Sequence, residues 1–285
     1  MSEPRLNAAL VETLIADQFP DWAHLPIRPV EPQGWDNRTF RLGDEMLARL
    51  PSAARYAAQT AKEQRWLPEL RRHLPLLIPE PVASGQPSSI YPFSWTIMRW
   101  LPGEAVGEAD PATQSSIAGD LAQFLNALRD APTADAPGPG QHNFYRGGDL
   151  RIYDQEVRHC LAQLGENVDA KAILRIWEKA CHSQWLSPPV WVHGDVAAGN
   201  LLLRSGRLGA AIDFGCCGIG DPACDLTIAW TLFDTPARKV FRDGINLDPQ
   251  TWARATGWAI WKALLQICQG QAIGQNTLTA VLAET

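Results

Sequence analysis

The sequence predicts an α+β protein of two lobes: a small mixed lobe with a β-sheet over residues 1–101, and a larger, mainly helical lobe over 102–285. The chain has 285 residues, 46% of them hydrophobic and 20% charged, which is long enough to bury a sizeable core. Short apolar runs between turn residues dominate before Leu101-Pro102-Gly103. Apolar residues at helical spacing dominate after it.

Periodicity defines the elements of the first lobe. Gly43-Asp44 separates two short apolar runs, as a tight turn between strands does. Pro75 and Pro79 interrupt the chain after a long segment without glycine. The predicted elements are a helix with Leu6, Leu10, Leu14 and Ile15 on one face, strands at 39–42 and 46–50, a helix over 56–74, and strands near Val82 and at 95–99.

Helices dominate the second lobe, with a loop over 136–140 where proline and glycine alternate. The predicted helices are one on Ile117, Leu121, Phe124, Leu125 and Leu128, two over 150–164 and 168–184, and further helical segments over 222–233 and 249–283. Three short strands are predicted at 190–192, 201–203 and 210–212.

The charge distribution argues against a nucleic-acid partner. The formal net charge is -6; residues 1–102 carry 11 acidic and 11 basic residues, whereas residues 103–285 carry 20 and 14. A protein that binds nucleic acid needs a basic surface for the phosphates, so a neutral or cationic small molecule is the favoured partner.

Membrane and metal-thiolate classes are also disfavoured. No apolar stretch approaches the roughly 20 residues that span a bilayer, and the start lacks the long apolar run of a signal peptide. We therefore expect a cytoplasmic protein without a membrane partner. The six cysteines contain no CxxC pair, so we expect reduced packing residues.

The chemistry-bearing segment runs from Val190 to Asp225. It places Asp195 in a loop after a short strand, Asn200 at the start of the next strand, and Asp213 at the end of a third. The intervening hairpin is expected to bring their ends together. A carboxylate and an amide oxygen suit Mg²⁺, and a second carboxylate can accept or orient a hydroxyl proton. Phosphoryl transfer requires this set, with Asp195 as the catalytic residue and Asn200 and Asp213 as metal ligands.

The motifs His193-Gly194-Asp195, Asn200 and Asp213-Phe214-Gly215 resemble the catalytic and metal loops of protein kinases, with glycine in place of arginine. Together with Gly220-Asp221-Pro222-Ala223-Cys224-Asp225, the segment resembles the aminoglycoside phosphotransferase family. The resemblance implies a protein-kinase-like fold, ATP or GTP as donor, Mg²⁺, a nucleotide-binding first lobe and a catalytic, substrate-binding second lobe.

The resemblance also implies nucleotide-binding residues in the first lobe. Arg49 corresponds to the cation over the α and β phosphates, and Glu63 to its carboxylate partner. The strand and connector over 95–101, which include Met98 and Trp100, would offer main-chain hydrogen bonds to a purine. The segment Gly34-Trp35-Asp36-Asn37-Arg38-Thr39 has one glycine where kinases have three, so Asn37 and Thr39 are expected to contact phosphate through their side chains.

Structural alternatives exist for several of these residues. Asp221, followed by Pro222, fits a helix N-cap. Asp225 either balances the same helix dipole or holds the catalytic loop from behind, as the resemblance implies. His193 fits a buried hydrogen-bonding scaffold better than a second base. Residues 218–223 match a dinucleotide-binding pattern, but no second strand follows to complete a βαβ unit.

The acceptor is expected to be a hydroxyl-bearing small molecule bound between the 132–150 loop and the helices after Asp225. The resemblance implies an aminoglycoside, whose ammonium groups need acids, yet only Asp234, Asp243, Asp248 and Glu284 follow Asp225. Amino alcohols, other sugars and macrolides remain open. A nucleotide-binding pseudokinase is a further alternative, and the oligomeric state is left open. Trp230, Trp252, Trp258 and Trp261 are either core residues or a wall of the acceptor site.

Overall fold

The computed structural model of the protein describes residues 5–107 and 110–284. The chain forms two compact units. Unit 1 comprises Met1–Gly103 and Ala210–Gly215, and unit 2 comprises Glu104–Gly209 and Cys216–Thr285. The first boundary lies two residues beyond the expected one. The predicted α+β class is confirmed by the elements of both units.

The described residues of unit 1 form a five-stranded sheet and two α-helices. The elements are α1 (Ala8–Gln18), β1 (Ile27–Pro29), β2 (Asn37–Leu42), β3 (Met46–Pro51), α2 (Ala57–Leu70), β4 (Pro81–Gly85) and β5 (Trp95–Arg99). The sheet order is β1-β2-β3-β5-β4, and all neighbouring strands are antiparallel. Every element predicted for residues 1–101 is confirmed, although α2 ends at Leu70 and the short strand β1 had not been predicted.

The two faces of this sheet differ in chemistry because side chains alternate along each strand. Phe40, Leu42, Ala48, Leu50 and Ile97 are buried on one face, in a core that also contains apolar residues of α1. The opposite face carries polar side chains: Thr39 on β2 pairs with Arg49 on β3, which pairs with Thr96 on β5. The predicted nucleotide-binding side chains therefore lie on the face away from the apolar core.

Helix α2 buries a polar surface. Gln59, Thr60, Lys62 and Glu63 are buried on α2, and the Gln64 Nε2 donates to Thr96 Oγ1 at 2.7 Å. Thr96 lies on the polar face of the sheet, so α2 borders that face. Buried polar side chains cost free energy unless they have hydrogen-bond partners. Several of them together on α2 indicate a binding site for a polar ligand rather than an ordinary packing surface.

Unit 2 is mainly helical. Its elements are β6 (Glu104–Ala105), α3 (Pro111–Asp130), α4 (Asp154–Leu164), α5 (Ala170–His182), β7 (Val190–Val192), β8 (Leu201–Arg204), β9 (Arg207–Ala211, of which Ala210 and Ala211 belong to unit 1), β10 (Gly218–Gly220), α6 (Ile228–Thr231), α7 (Thr235–Ile245), α8 (Pro249–Cys268) and α9 (Ala272–Leu282). Strands β10 and β7 form an antiparallel pair, and a second sheet has the order β6-β8-β9. Helix α8 contacts α4, α5 and α9.

Two helical predictions differ from the structure. Residues 222–233 form a 3-10 helix over Pro222–Thr227 followed by the short α6, and residues 249–283 divide into α8 and α9 at Gly270, whose φ is +74°. Helix α7, which contains Pro236, had not been predicted. Pro236 stands in the first turn of α7, where the missing N–H costs no hydrogen bond.

The segment Ala210–Gly215 belongs to unit 1, although residues 102–285 were expected to form one lobe. Leu77 pairs in parallel with Ala210 and accepts a hydrogen bond from the Ala211 amide at 3.0 Å. The Gly215 carbonyl accepts a hydrogen bond from Lys62 Nζ at 2.7 Å. Asp213 is therefore part of unit 1, through contacts between residues far apart in the sequence.

All six cysteines are free thiols, and Cys160, Cys216, Cys217 and Cys224 are buried, in agreement with packing roles. Within residues 5–107 and 110–284, we find no helix that combines the length and the apolar character needed to cross a membrane.

Candidate active site

Asp225 holds the loop that carries Asp195. The loop follows β7, and the buried Asp225 carboxylate accepts hydrogen bonds from the amides of His193 and Gly194, both at 2.7 Å. Burial raises the pKa of Asp225, whereas His193 and the two amides oppose that rise. Of the two interpretations of Asp225, the structure supports the one in which it holds the catalytic loop from behind.

Gly194 explains why the motif reads His-Gly-Asp. Its φ is +82°, and a Cβ built there would lie 2.3 Å from the Cys216 carbonyl oxygen. A side chain at this position would collide with that oxygen, and residues with a side chain rarely adopt a positive φ. Arginine, which protein kinases have here, is therefore excluded by close contact between two backbone segments of unit 2.

The Asp195 carboxylate is ionised and held in place. Lys262 Nζ, from α8, lies 3.1 Å from Asp195 Oδ1, and the Asn200 amide nitrogen donates to the Asp195 carbonyl at 3.0 Å. Burial by itself raises the pKa of Asp195, but Lys262 and Arg146 outweigh burial, and the pKa lies below its usual value. His193 is buried, and its Nδ1 accepts a hydrogen bond from the Asp195 amide at 3.3 Å, as expected of a scaffold residue.

A pocket of unit 2 opens onto Asp195. Arg146 from the 132–150 loop and Trp258, Trp261 and Lys262 from α8 line it. The acceptor site was expected between that loop and the helices after Asp225, and residues of both segments line this pocket. Trp258 and Trp261 thus form a pocket wall, whereas Trp252 packs at 6.1 Å between ring centroids against Trp230 and against Phe241.

A second cluster of charged side chains lies in unit 1, where Arg49 contacts two carboxylates. Arg49 Nη1 is 2.5 Å from Glu63 Oε1, which is the ion pair expected from the sequence, and Arg49 Nη2 contacts Asp213 Oδ1. Burial lowers the pKa of Arg49, but the two carboxylates more than offset it, so the guanidinium is charged. The Asp213 side chain is 42% exposed, and one of its oxygens is bound to Arg49.

Asp213 has a left-handed backbone conformation, with φ at +65°. This conformation is uncommon for a residue with a side chain, and such strain is concentrated at functional sites. The backbone conformation thus indicates a functional role for Asp213 independently of the sequence motif.

The remaining residues expected to bind nucleotide lie in unit 1. Thr39 is on the polar sheet face with Arg49, and Asn37 begins β2; its buried Nδ2 has no hydrogen-bond partner within the described part of the chain. Met98 is a buried residue of β5. The Trp100 amide donates to the Glu45 carbonyl at 2.7 Å, so a purine bound at Trp100 would have to use another group of that residue.

Sequence reasoning missed several charged residues of both clusters. Lys262 and Arg146 approach Asp195 in unit 2, and Lys62 and Asp36 lie in the Arg49 cluster. Burial raises the pKa of Asp36, which accepts a hydrogen bond from Gln59. Lys262 had a readable signal, since it follows Trp258 by one helical turn in a helix with few charges.

Asp221 and the glycines before it have structural roles. Asp221 caps the following 3-10 helix through the Ala223 amide, as predicted, and also forms a buried bidentate ion pair with Arg254, with Nε 2.6 Å from Oδ2. Gly218–Gly220 is strand β10, antiparallel to β7. This pairing is not that of a parallel βαβ unit, in agreement with the rejection of the dinucleotide-binding pattern.

Asp213 in unit 1 and Asn200 in unit 2 each carry an oxygen of the kind that Mg²⁺, a hard cation, prefers. Asp213 Oδ2 is not the oxygen that contacts Arg49, and the amide nitrogen of Asn200 is used by Asp195, which leaves its oxygen as the atom suited to a cation. Among the described residues, no group of three His, Cys, Asp or Glu side chains forms a metal cage.

Comparison with known proteins identifies the relatives of this chain. Residues 27–261 match the model of the phosphotransferase enzyme family. No curated protein sequence is significantly similar. Solved structures with the same fold include the GDP complex of wild-type aminoglycoside 2'-phosphotransferase-IIIa, at TM-score 0.73, 19% identity and 97% coverage of both chains. A gentamicin complex of APH(2")-IIa has TM-score 0.64 and 19% identity, covering 99% of this chain and 97% of that one. Macrolide 2'-phosphotransferase from Brachybacterium faecium has TM-score 0.61 and 19% identity, with 96% and 97% covered.

Proposed function

The chain belongs to the phosphotransferase enzyme family, and on that premise we propose that it transfers the γ-phosphoryl group of ATP or GTP to a hydroxyl group of a small molecule. The observation that carries the proposal is Asp195: an ionised carboxylate that lines a small pocket, on a loop fixed by two hydrogen bonds to Asp225. Phosphoryl transfer depends on positioning and charge stabilisation, and a fixed carboxylate supplies the positioning of the acceptor.

The reaction requires little covalent chemistry from the protein. The acceptor oxygen forms a bond to the γ-phosphorus while the bond from that phosphorus to the bridging β–γ oxygen breaks, and the nucleoside diphosphate leaves. The hydroxyl proton passes to Asp195 as the acceptor bond forms, and from there to solvent. With its pKa below the usual range, Asp195 acts mainly by accepting a hydrogen bond from the hydroxyl and directing its lone pair.

Unit 1 supplies the nucleotide site in this proposal. Arg49, braced by Glu63, lies over the phosphates, and the buried Asn37 amide nitrogen and the Thr39 hydroxyl donate to phosphate oxygens. Met98 and Trp100 border the base. Asp213 and Asn200 are the proposed Mg²⁺ ligands. When bound, Mg²⁺ neutralises charge on the phosphates.

The acceptor is a separate question. The structural neighbours act on aminoglycosides or macrolides, according to their names, and an aminoglycoside is the acceptor implied by the sequence resemblance. At 19% identity these likenesses define the fold, and one fold serves many small-molecule kinases. Amino alcohols, sugars and macrolides remain candidates beside aminoglycosides.

The decisive experiment uses Asp195→Ala. With a panel of hydroxyl acceptors, the wild-type protein should release nucleoside diphosphate and yield a phosphorylated product of the expected mass. Asp195→Ala should lose nearly all turnover and retain nucleotide affinity, because the carboxylate acts on the acceptor. Wild-type protein that binds nucleotide without consuming it under any condition would instead identify a pseudokinase. Equal loss of nucleotide affinity and turnover in the variant would contradict the role of Asp195.

A further inference from the structure

The pocket at Asp195 contains two cations. Lys262 Nζ lies 3.1 Å from Asp195 Oδ1, and both Lys262 and Arg146 lower the pKa of Asp195, which places the two positive charges within electrostatic reach of one carboxylate. These cations stand where a substrate hydroxyl must approach. Their charge therefore acts directly on any acceptor that enters.

Arg146 forms no ion pair within the described part of the chain, although its charge acts on Asp195. Its guanidinium carbon lies 4.5 Å from the ring centroid of Trp261 and 5.5 Å from that of Trp258. Its Nε is buried and has no hydrogen-bond partner in the described part of the chain. A guanidinium is planar by resonance, and its N–H donors can bind a carboxylate or phosphate through two parallel hydrogen bonds.

Among the described residues, Asp225 and Glu156 also lie near this pocket, and Asp225 is buried with both carboxylate oxygens bonded to the amides of His193 and Gly194. Glu156 accepts a hydrogen bond from the indole nitrogen of Trp261 at 2.6 Å, and the residue is exposed to solvent. Solvent screens an exposed charge, so Glu156 offsets little of the positive charge inside the pocket. Asp195 is paired with Lys262, whereas Arg146 has no ion-pair partner within the described part of the chain and can pair with an acceptor.

A polycationic acceptor fits this pocket poorly, because its ammonium groups would meet Arg146 and Lys262. Asp195 and the exposed Glu156 are the carboxylates available to such groups among the residues described above. An acceptor with a negative charge would gain two hydrogen bonds from Arg146, which Trp258 and Trp261 hold in place.

We propose that the acceptor of this enzyme carries an anionic group, a carboxylate or a phosphate, near the hydroxyl that is phosphorylated, and that Arg146 binds that group. This assignment rests on the proposed function and narrows its substrate class. In the reaction, the anionic group stays bound to Arg146 while the neighbouring hydroxyl loses its proton to Asp195 and takes the γ-phosphoryl group.

The test compares acceptors that share one carbon skeleton and differ in charge. One set is D-glycerate, glycerol 3-phosphate, glycerol and 3-amino-1,2-propanediol; a second is gluconate, glucose 6-phosphate, glucose and glucosamine; kanamycin represents the polycations. Binding is measured by saturation-transfer NMR with ADP and Mg²⁺ present, so that the nucleotide site is filled. Product formation is measured in separate reactions that contain ATP, and the phosphorylated product is identified by mass spectrometry.

Three variants give the readout. Arg146→Gln removes the charge, Arg146→Lys keeps the charge but not the planar pair of donors, and Arg175→Gln removes a charge from the exposed face of α5 as the matched control. Thermal melting of each variant reports whether it is folded.

We expect the acid of a set to bind at least about tenfold more tightly than its neutral member, and the amine to bind most weakly. Arg146→Gln should remove that preference, Arg146→Lys should retain part of it, and Arg175→Gln should not change it. A carboxylate preferred over a phosphate, or the reverse, identifies which anion the site accepts.

The proposal is overturned if neutral or amine members bind as tightly as the acids, if no anionic member binds, or if Arg146→Gln leaves the order unchanged. Phosphorylation of kanamycin or glucosamine in preference to the acids would overturn the anionic acceptor and support the proposed phosphotransfer. Wild-type protein that fails to bind ATP would instead overturn the proposed function.

Discussion

The Gly194 amide donates a hydrogen bond to the buried Asp225 carboxylate at 2.7 Å, and residues 31 positions apart in the sequence thereby fix the conformation of the catalytic loop. The second oxygen of the same carboxylate accepts from the His193 amide. Each residue in this contact is restricted: the carboxylate is buried and needs hydrogen-bond donors, and Gly194 has a positive φ that residues with side chains rarely adopt.

Gly194→Ala should distort the catalytic loop. A Cβ would lie 2.3 Å from the Cys216 carbonyl oxygen, so the loop must shift, and a displacement of the order of 1 Å at a catalytic group costs about 100-fold in rate. Gly199→Ala, in the same loop, is the matched control, because a Cβ there meets nothing within 4 Å. Turnover and thermal melting are measured for both. Equal effects of the two substitutions would show that the close contact at Gly194 is unimportant.

Asp225→Asn should lower both stability and kcat. An asparagine side chain offers one oxygen to the two amides that Asp225 accepts from, so one buried N–H loses its partner, at about 1–3 kcal/mol. Denaturant unfolding and steady-state kinetics measure the two effects. Asp243→Asn, at an exposed i,i+4 pair on α7, is the control and should change neither by much. A fully active, equally stable Asp225→Asn would contradict the holding role.

Asp213→Asn should weaken nucleotide binding only when Mg²⁺ is present. An amide binds a hard cation such as Mg²⁺ less tightly than a carboxylate does, so the substitution weakens Mg²⁺ binding. Glu63 still holds Arg49 in place. Calorimetric titration with ATP, once with Mg²⁺ and once with a chelator, separates metal-dependent from metal-independent nucleotide binding. We expect ATP affinity to fall at least about tenfold when Mg²⁺ is present and to stay unchanged with the chelator. Asp44→Asn, on the exposed β2–β3 hairpin, serves as the control. Unchanged affinity in Mg²⁺ would remove Asp213 from the metal site.

Lys262→Met should move the acid limb of the pH profile to higher pH. Burial raises the pKa of Asp195 and Lys262 is the largest of the influences that lower it, so removing the cation lets the pKa rise. The carboxylate must be ionised to accept the hydroxyl proton, and activity will then begin to fall at a higher pH as the solution is acidified. The pH dependence of kcat/KM measures the shift. An acid limb that stays in place would show that Lys262 does not control the ionisation of Asp195.

Local patterns determined much of this protein from sequence alone. The spacing of apolar residues placed the β2–β3 hairpin, α2 and α3, because helix and strand periodicity depends on neighbours within a few residues. The order of Asp195, Asn200 and Asp213 predicted the chemistry of phosphoryl transfer. The Asp221 cap was also readable, since a cap bonds to the amide two or three residues later.

Tertiary structure alone decided the environment of those residues. Lys262 lies 67 residues from Asp195 in the sequence, and Arg146 reaches the same pocket from another loop. Asp213 joins unit 1 through a pairing between Leu77 and Ala210 that no local pattern encodes. The need for glycine at 194 arises from a backbone carbonyl 22 residues later in the chain. Electrostatic and steric interactions act through space, so the charge that an acceptor meets at Asp195 depends on which distant side chains packing brings there.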